Sequence, residues 1–192
     1  MFLMQMKSQK RRERLVNSAA RRIHHHGYGR TSLADIAKNA RVPVGGVYYY
    51  FKTKEELVYA IVEKRLQELQ ERLDAWQSLP NGRARLLALV GGWRDDSEVD
   101  ARYGCPVGSL CYELAKTGGD VARTAAQPLK RVRDWAEMQF RQDGHSDPEG
   151  LAEHLIMTLQ GASLLANALR DPDALRRETD RLKSWIEGLQ VP

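Results

Sequence analysis

Residues 42–57 read VPVGGVYYYFKTKEEL, and three of the chain's seven tyrosines, Tyr48, Tyr49 and Tyr50, stand side by side in it. A helix that buries its aromatic residues spaces them three or four positions apart. Three consecutive rings turn through about 100° each, so they cannot all enter one core, and at least one serves a surface. Val47 and Phe51, four apart, are suited to point inward. Gly45 and Gly46 each cost about 1 kcal/mol relative to alanine in a helix. Close approach of a partner to the bare backbone is a compensation for that cost.

The stretch lies in the basic part of the chain. Residues 1–60 hold twelve Lys and Arg against four Asp and Glu, an excess of eight. The whole chain carries +5, so residues 61–192 carry −3. A basic N-terminal third on a mildly acidic body points to a polyanion-binding module joined to something else. No apolar run approaches the ~18–20 residues that span a bilayer. The opening MFLMQMKSQKRRERL places its cations after a short apolar patch, the reverse of a secretory signal. Two cysteines, Cys105 and Cys111, are too few for a disulfide framework. The expectation is a cytoplasmic protein that does not enter the membrane, with both thiols reduced.

Apolar residues recur at helical spacing throughout and no segment alternates as a strand does. The chain is predicted to be all-α, with about nine helices. The first covers about 10–26, with Leu15, Val16, Ala19, Ala20 and Ile23 inward and Gly27 at its C-terminal end. Ser32 with Asp35 forms a capping box for the second, and Pro43 suits the first position of the third. Thr53 with Glu56 opens the fourth, over about 53–77. Further helices are expected near 83–98, 106–116, 120–142, 147–170 and 172–189. In this reading residues 1–55, which hold most of the basic charge, form one domain and residues 56–192 a second, with helix 4 linking them.

The second helix, its turn and the third make a helix-turn-helix, whose second helix enters the DNA major groove. Tyr48, Tyr49 and Tyr50 are expected to fan outward and offer hydroxyls to phosphates, with Lys54 adding a cation at a helix N-terminus. The third helix has no Arg, Asn or Gln for a bidentate base contact. Base reading falls to Arg41, to Tyr49, to backbone approach at the glycines, or to DNA shape.

TSLADIAKNARVPVGGVYYYFKTKEEL, at 31–57, resembles the TetR family of bacterial transcriptional repressors. The resemblance rests on Thr31, Ile36-Ala37, the run from Gly46 to Phe51, and Lys54-Glu55-Glu56-Leu57, and is specific over about residues 10–65. GCPVGSLCYELA at 104–115 is similar to a segment found in part of the family. TLQGASLLANALRDPDAL at 158–175 resembles its dimer-forming penultimate helix. The resemblance implies phosphate contacts at Thr31, Ser32, Tyr48, Tyr49, Tyr50 and Lys54, and base-facing positions at Val44, Gly45 and Gly46. It further implies a palindromic double-stranded DNA operator and a small-molecule effector that releases the protein from it.

Trp93, Tyr103, Cys105, Tyr112, Trp135, Met138, His154 and Met157 are candidate lining for an effector pocket, with core packing as the alternative for each. Gln160 is a further polar residue in an apolar helix. Pro106 is suited to open a helix, which places Cys105 at the N-cap, where the dipole lowers a thiol pKa. Leu151, Leu155, Leu159, Ala162, Ala166 and Leu169 lie near one stripe. Within one subunit that stripe is core; paired with a second copy it becomes a four-helix dimer interface. His24-His25-His26 diverge around the helix and do not suggest a metal site. No catalytic fingerprint occurs, so neither catalytic residues nor cofactors are expected. An enzyme that binds small molecules and a helical adaptor are the rival readings, and the basic helix-turn-helix argues against both.

Overall fold

The computed structural model describes residues 2–190, with side chains from Gln5 onward. Among these residues it contains eleven helices and no strand: α1 Phe2–His26, α2 Leu33–Ala40, α3 Val44–Tyr50, α4 Lys54–Trp76, α5 Gly82–Asp95, α6 Ser97–Tyr103, α7 Pro106–Ala115, α8 Gly119–Ala125, α9 Gln127–Gln142, α10 Pro148–Leu169 and α11 Pro172–Gly188. The all-α class is as the periodicity indicates. Two breaks lie inside expected segments. The stretch 120–142 divides at Ala126, where Pro128 follows in the first turn of α9. Proline has no N–H to bond back, so it suits a first turn and ends what precedes it. The other break falls at Asp96, between α5 and the seven-residue α6. The first helix also starts at Phe2, well before the expected position 10.

The chain forms two compact units, Met1–Leu66 with Ser109–Gln127, and Gln67–Gly108 with Pro128–Pro192. The expected division at 55/56 differs from this in two respects. Helix α4 passes from one unit to the other at Leu66, and the segment 109–127 joins the N-terminal unit.

The first unit is built on Leu15, Val16, Ala19 and Ile23 of α1, Ile36 and Ala37 of α2, Val47, Phe51, and Leu57, Val58 and Ile61 of α4. Leu110 and Leu114 of α7 complete that core. The Ser32 capping box forms as read: its hydroxyl accepts the Asp35 N–H at 3.1 Å, and Asp35 Oδ2 accepts the Ser32 N–H at 3.0 Å. Helix α2 ends with Arg41 in the left-handed region, φ 53° and ψ 46°. The Val42 N–H reaches the Ala37 carbonyl and the Arg41 N–H reaches that of Lys38, a Schellman closure. Such closures usually use glycine; arginine there costs about 1 kcal/mol. Arg14 secures it, donating to the carbonyls of Ala40 at 2.5 Å and Arg41 at 3.2 Å. Pro43 is the N-cap of α3, one residue before the expected first position. Thr53 accepts the Glu56 N–H at 3.2 Å, while the Glu56 carboxylate reaches back to the Lys52 N–H, so half of the expected box is displaced by one residue.

The second unit packs Leu86, Leu89 and Val90 of α5 against Trp135, Ala136 and Phe140 of α9, Leu155 and Leu159 of α10, and Leu182 and Ile186 of α11. Beside this core, Ala101, Ala162, Ala166 and Leu175 form a small-residue contact between α6, α10 and α11. No helix among the described residues is long and apolar enough to cross a membrane.

Candidate nucleic-acid interface

Helix α3 is two turns long and shows what the three tyrosines do. Val47 is fully buried and Phe51 nearly so, as their spacing requires. Tyr49 is 74% exposed, Tyr48 47% and Val44 45%. Tyr50 does not fan outward. Its ring is half-buried against the core, and its hydroxyl pairs with that of Ser8 at 3.0 Å. The Tyr49 ring meets the Tyr50 ring edge-on, centroids 4.9 Å apart. Two tyrosines therefore face solvent, and the third joins α3 to the N-terminal turns of α1.

The two glycines differ. A Cβ on Gly46 would sit 2.9 Å from Val42 Cγ1, so a larger residue there would have to push the Val42 side chain aside. Around Gly45 nothing lies within 4 Å of such an atom. Gly45 thus has no internal reason to be glycine, and its bare backbone opens on the same side of the helix as Val44 and Tyr48.

The loop before α2 is held from two directions. The Glu113 carboxylate accepts the N–H groups of Tyr28 at 3.0 Å and Gly29 at 3.1 Å. Lys54 Nζ donates to the carbonyls of Tyr28 at 2.8 Å and Thr31 at 3.0 Å, and lies 4.0 Å from the centroid of the Tyr28 ring. Burial, with the Glu55 charge next to it, pushes the Tyr28 phenol up to about 12. Lys54 is therefore first a clamp on this loop. Two of its three donors are committed inward, which leaves one for a phosphate. Thr31 departs from expectation: it is 1% exposed and its hydroxyl donates to the Gly27 carbonyl at 2.9 Å. Its side chain is spent inside the loop and is not presented to a phosphate. Ser32 is exposed, though its hydroxyl is shared with Asp35. Exposed Arg41 lines a basic cleft of about 800 Å³ with Arg14, Arg21 and Lys64. Among the described residues no acidic side chain lines that cleft.

The expected effector-pocket residues separate into two groups. Tyr112, Met138, His154 and Met157 are exposed, because the faces of α7, α9 and α10 that carry them point away from their own cores. Trp93 and Tyr103 are half-buried. Trp135 is buried beside Trp76, ring centroids 5.7 Å apart, and among the described residues its buried indole N–H has no hydrogen-bond partner. Cys105 is buried and does cap α7, its sulfur accepting the Gly108 N–H at 3.4 Å and the Gln160 amide at 3.5 Å. Burial nevertheless dominates over these donors and pushes the thiol pKa up, the opposite of the expected shift. Sequence reading missed Asp100, 3% exposed on α6, which accepts from the Ser163 hydroxyl at 2.6 Å. Burial raises its carboxyl to about 6. Among the described residues no group of three His, Cys, Asp or Glu could hold a metal ion.

The expected dimer stripe is largely interior. Leu155, Leu159, Ala162 and Ala166 are buried within the subunit, and Leu151 is half-buried; of the six, only Leu169 is exposed. A helix packed into a core gives one face to it, and here the larger apolar run of α10 is that face. The outward face of α10 is also apolar, carrying Met157, Gly161, Leu164, Leu165 and Leu169, with Leu164 68% exposed. Both faces of α10 are hydrophobic, and the periodicity alone could not tell them apart.

Residues 15–61 match the family described as bacterial regulatory proteins, tetR family, and residues 82–182 match the tetracyclin repressor-like C-terminal domain. An uncharacterized HTH-type transcriptional regulator of the lacX 3' region in Lactococcus lactis subsp. lactis is 27% identical over 182 residues, covering 92% of this chain and 93% of the relative. The transcriptional regulator AcuR of Cereibacter sphaeroides is 28% identical over 177 residues, covering 86% and 80%. The crystal structure of regulatory protein TetR from Rhodobacter sphaeroides superposes with a TM-score of 0.78 at 25% identity, covering 90% of this chain and 97% of that one. With its helix-turn-helix in the N-terminal segment and an all-helical C-terminal segment, the chain is a transcriptional regulator that belongs to the TetR family.

Proposed function

We propose that the protein is a homodimeric repressor that binds a palindromic operator and leaves it when a small molecule enters the second unit. The observation that carries the DNA side is the exposed face of α3, where Val44, the open backbone at Gly45, Tyr48 and Tyr49 lie together on a basic unit. Tyrosine hydroxyls and Lys54 position the duplex through its phosphates. Base reading falls to close approach at Val44 and Gly45, with Arg41 at the C-terminal cap of α2, just before that helix. A two-turn helix reads few base pairs, so two copies are needed to define a site. The exposed stripe of Met157, Leu164, Leu165 and Leu169 is the surface proposed to join them. Two recognition helices then meet half-sites about 34–36 Å apart, or a multiple of this.

For the effector, the proposed lining is Trp93, Trp135, whose indole N–H has no hydrogen-bond partner among the described residues, and the Cys105–Gln160 pair, all in the second unit. Apolar walls with a few polar groups suit a small organic ligand. Such a ligand releases DNA only if it binds the DNA-incompetent arrangement more tightly than the other.

Footprinting on the DNA flanking the gene is the direct test. Two symmetric protected half-sites are expected. Protection without a repeat, or none at all, would overturn the operator reading.

A further inference from the structure

The N-terminal turns of α1 hold a feature that the helix-turn-helix does not account for. Helix α1 continues to Phe2, and its residues Lys7, Ser8 and Arg11 fall on one face, beside the recognition helix. With Gly46, Tyr49 and Tyr50 they line a groove of about 340 Å³. The groove's floor is fixed: the Ser8 and Tyr50 hydroxyls share a hydrogen bond at 3.0 Å. One turn further on, Arg12 lies over the Phe51 ring, 5.4 Å from its centroid. Lys7 and Arg11 are exposed, and among the described residues no acidic side chain lines the groove. Its donors are an ammonium, a guanidinium and the exposed Tyr49 phenol.

Two cations and a phenol around a small open groove form an anion site, and its position next to α3 selects the anion. We infer that a backbone phosphate of the bound duplex sits in this groove, so that α1 grips the DNA outside the stretch faced by α3. The inference rests on the DNA-binding reading above and adds a contact to it. It also explains the position of Tyr50. The third tyrosine is turned inward because it anchors the helix that carries Lys7 and Arg11, while Tyr49 closes the groove from the other side. The extra length of α1 is then a phosphate clamp, and it increases affinity without adding base specificity.

Each phosphate neutralised by protein cations releases condensed counterions, which contributes about 0.9 to the magnitude of the slope of log K against log salt. The test uses a random-sequence duplex of about 30 base pairs and full-length protein, with fluorescence anisotropy read between ~50 and ~200 mM salt. The double variant Lys7→Ala/Arg11→Ala is compared with Lys116→Ala/Lys130→Ala, which removes the same charge from exposed positions outside the groove. The groove variant is expected to lose about 0.9 from the magnitude of the slope and at least about tenfold in affinity at the lowest salt. The control is expected to keep the wild-type slope, and both are expected to keep the wild-type melting temperature. Groove and control variants with the same slope would overturn the inference while leaving the DNA-binding reading intact. Wild-type protein that binds no duplex at all would overturn that reading itself, and the clamp with it.

Discussion

Glu113 accepts the backbone N–H of Tyr28 at 3.0 Å, although 85 positions separate them in sequence. The other oxygen of the same carboxylate takes the Gly29 N–H, and Lys54 holds the carbonyls of Tyr28 and Thr31. The loop that delivers Ser32 to the start of α2 is thus fixed by a carboxylate and an ammonium. Hydrogen bonds to charged groups contribute about 1.5–3 kcal/mol each, less where solvent reaches them. Glu113→Ala is expected to lower the melting temperature by several degrees and to weaken DNA binding, whereas Glu113→Gln keeps one acceptor and loses less. Calorimetry reads the first effect; an alanine variant that melts with the wild type would show that the loop holds itself.

The two glycines of α3 are expected to respond in opposite directions. Gly45→Ala meets no atom within 4 Å and removes a poor helix former, so it is expected to raise stability by up to about 1 kcal/mol while weakening DNA binding. Gly46→Ala would press on Val42 and is expected to destabilise the unit. Denaturant midpoints for the pair decide the matter. Equal shifts would remove the distinction.

Tyr48→Phe and Tyr49→Phe are expected to reduce affinity for all duplexes alike with the salt slope unchanged, because a neutral phenol releases no counterion. A change that depends on base sequence would assign these hydroxyls to bases instead.

Leu164→Arg places a charge on the exposed stripe of α10, and sedimentation is expected to show folded monomers. Ala162→Arg is expected to unfold the second unit, since Ala162 is 7% exposed within its own subunit and a lone charge there has no partner. A Leu164→Arg protein that stays dimeric would move the interface elsewhere.

Burial raises Asp100 to about 6 from an ordinary value of 3.8. The folded state then holds its proton more tightly than the unfolded chain does. The stability this contributes is fully present below about pH 4 and is lost as pH rises through about 6. Asp100→Asn is expected to flatten the pH dependence of stability between those limits and to stabilise the protein at neutral pH. Melting curves across that range check it. The raised Cys105 thiol runs the same way at higher pH, so at neutral pH alkylation at Cys105 is expected to be slow.

The sequence carried those features whose cause is local. The Ser32 capping box, the inward Val47 and Phe51, and the C-terminal position of Gly27 follow from spacing and propensity, and the structure shows each. What it did not carry depends on distant partners. Thr31 turns inward towards Gly27, Tyr50 meets Ser8 across 42 positions, and Glu113 reaches back to the first loop. Helix α10 is hydrophobic on two faces, and only the packing of α5, α6 and α11 decides which is interior. The left-handed Arg41 was hidden as well, because composition assigns that conformation to glycine or asparagine.

The bare stripe on α10 has a consequence for dosage. If operator binding requires two copies joined along it, occupancy at low abundance follows the square of the monomer concentration rather than its first power. Halving the cellular supply of the protein would then cut occupancy about fourfold, and repression would carry a threshold in copy number. A single leucine such as Leu164, remote in sequence from every residue proposed to touch DNA, would set where that threshold lies.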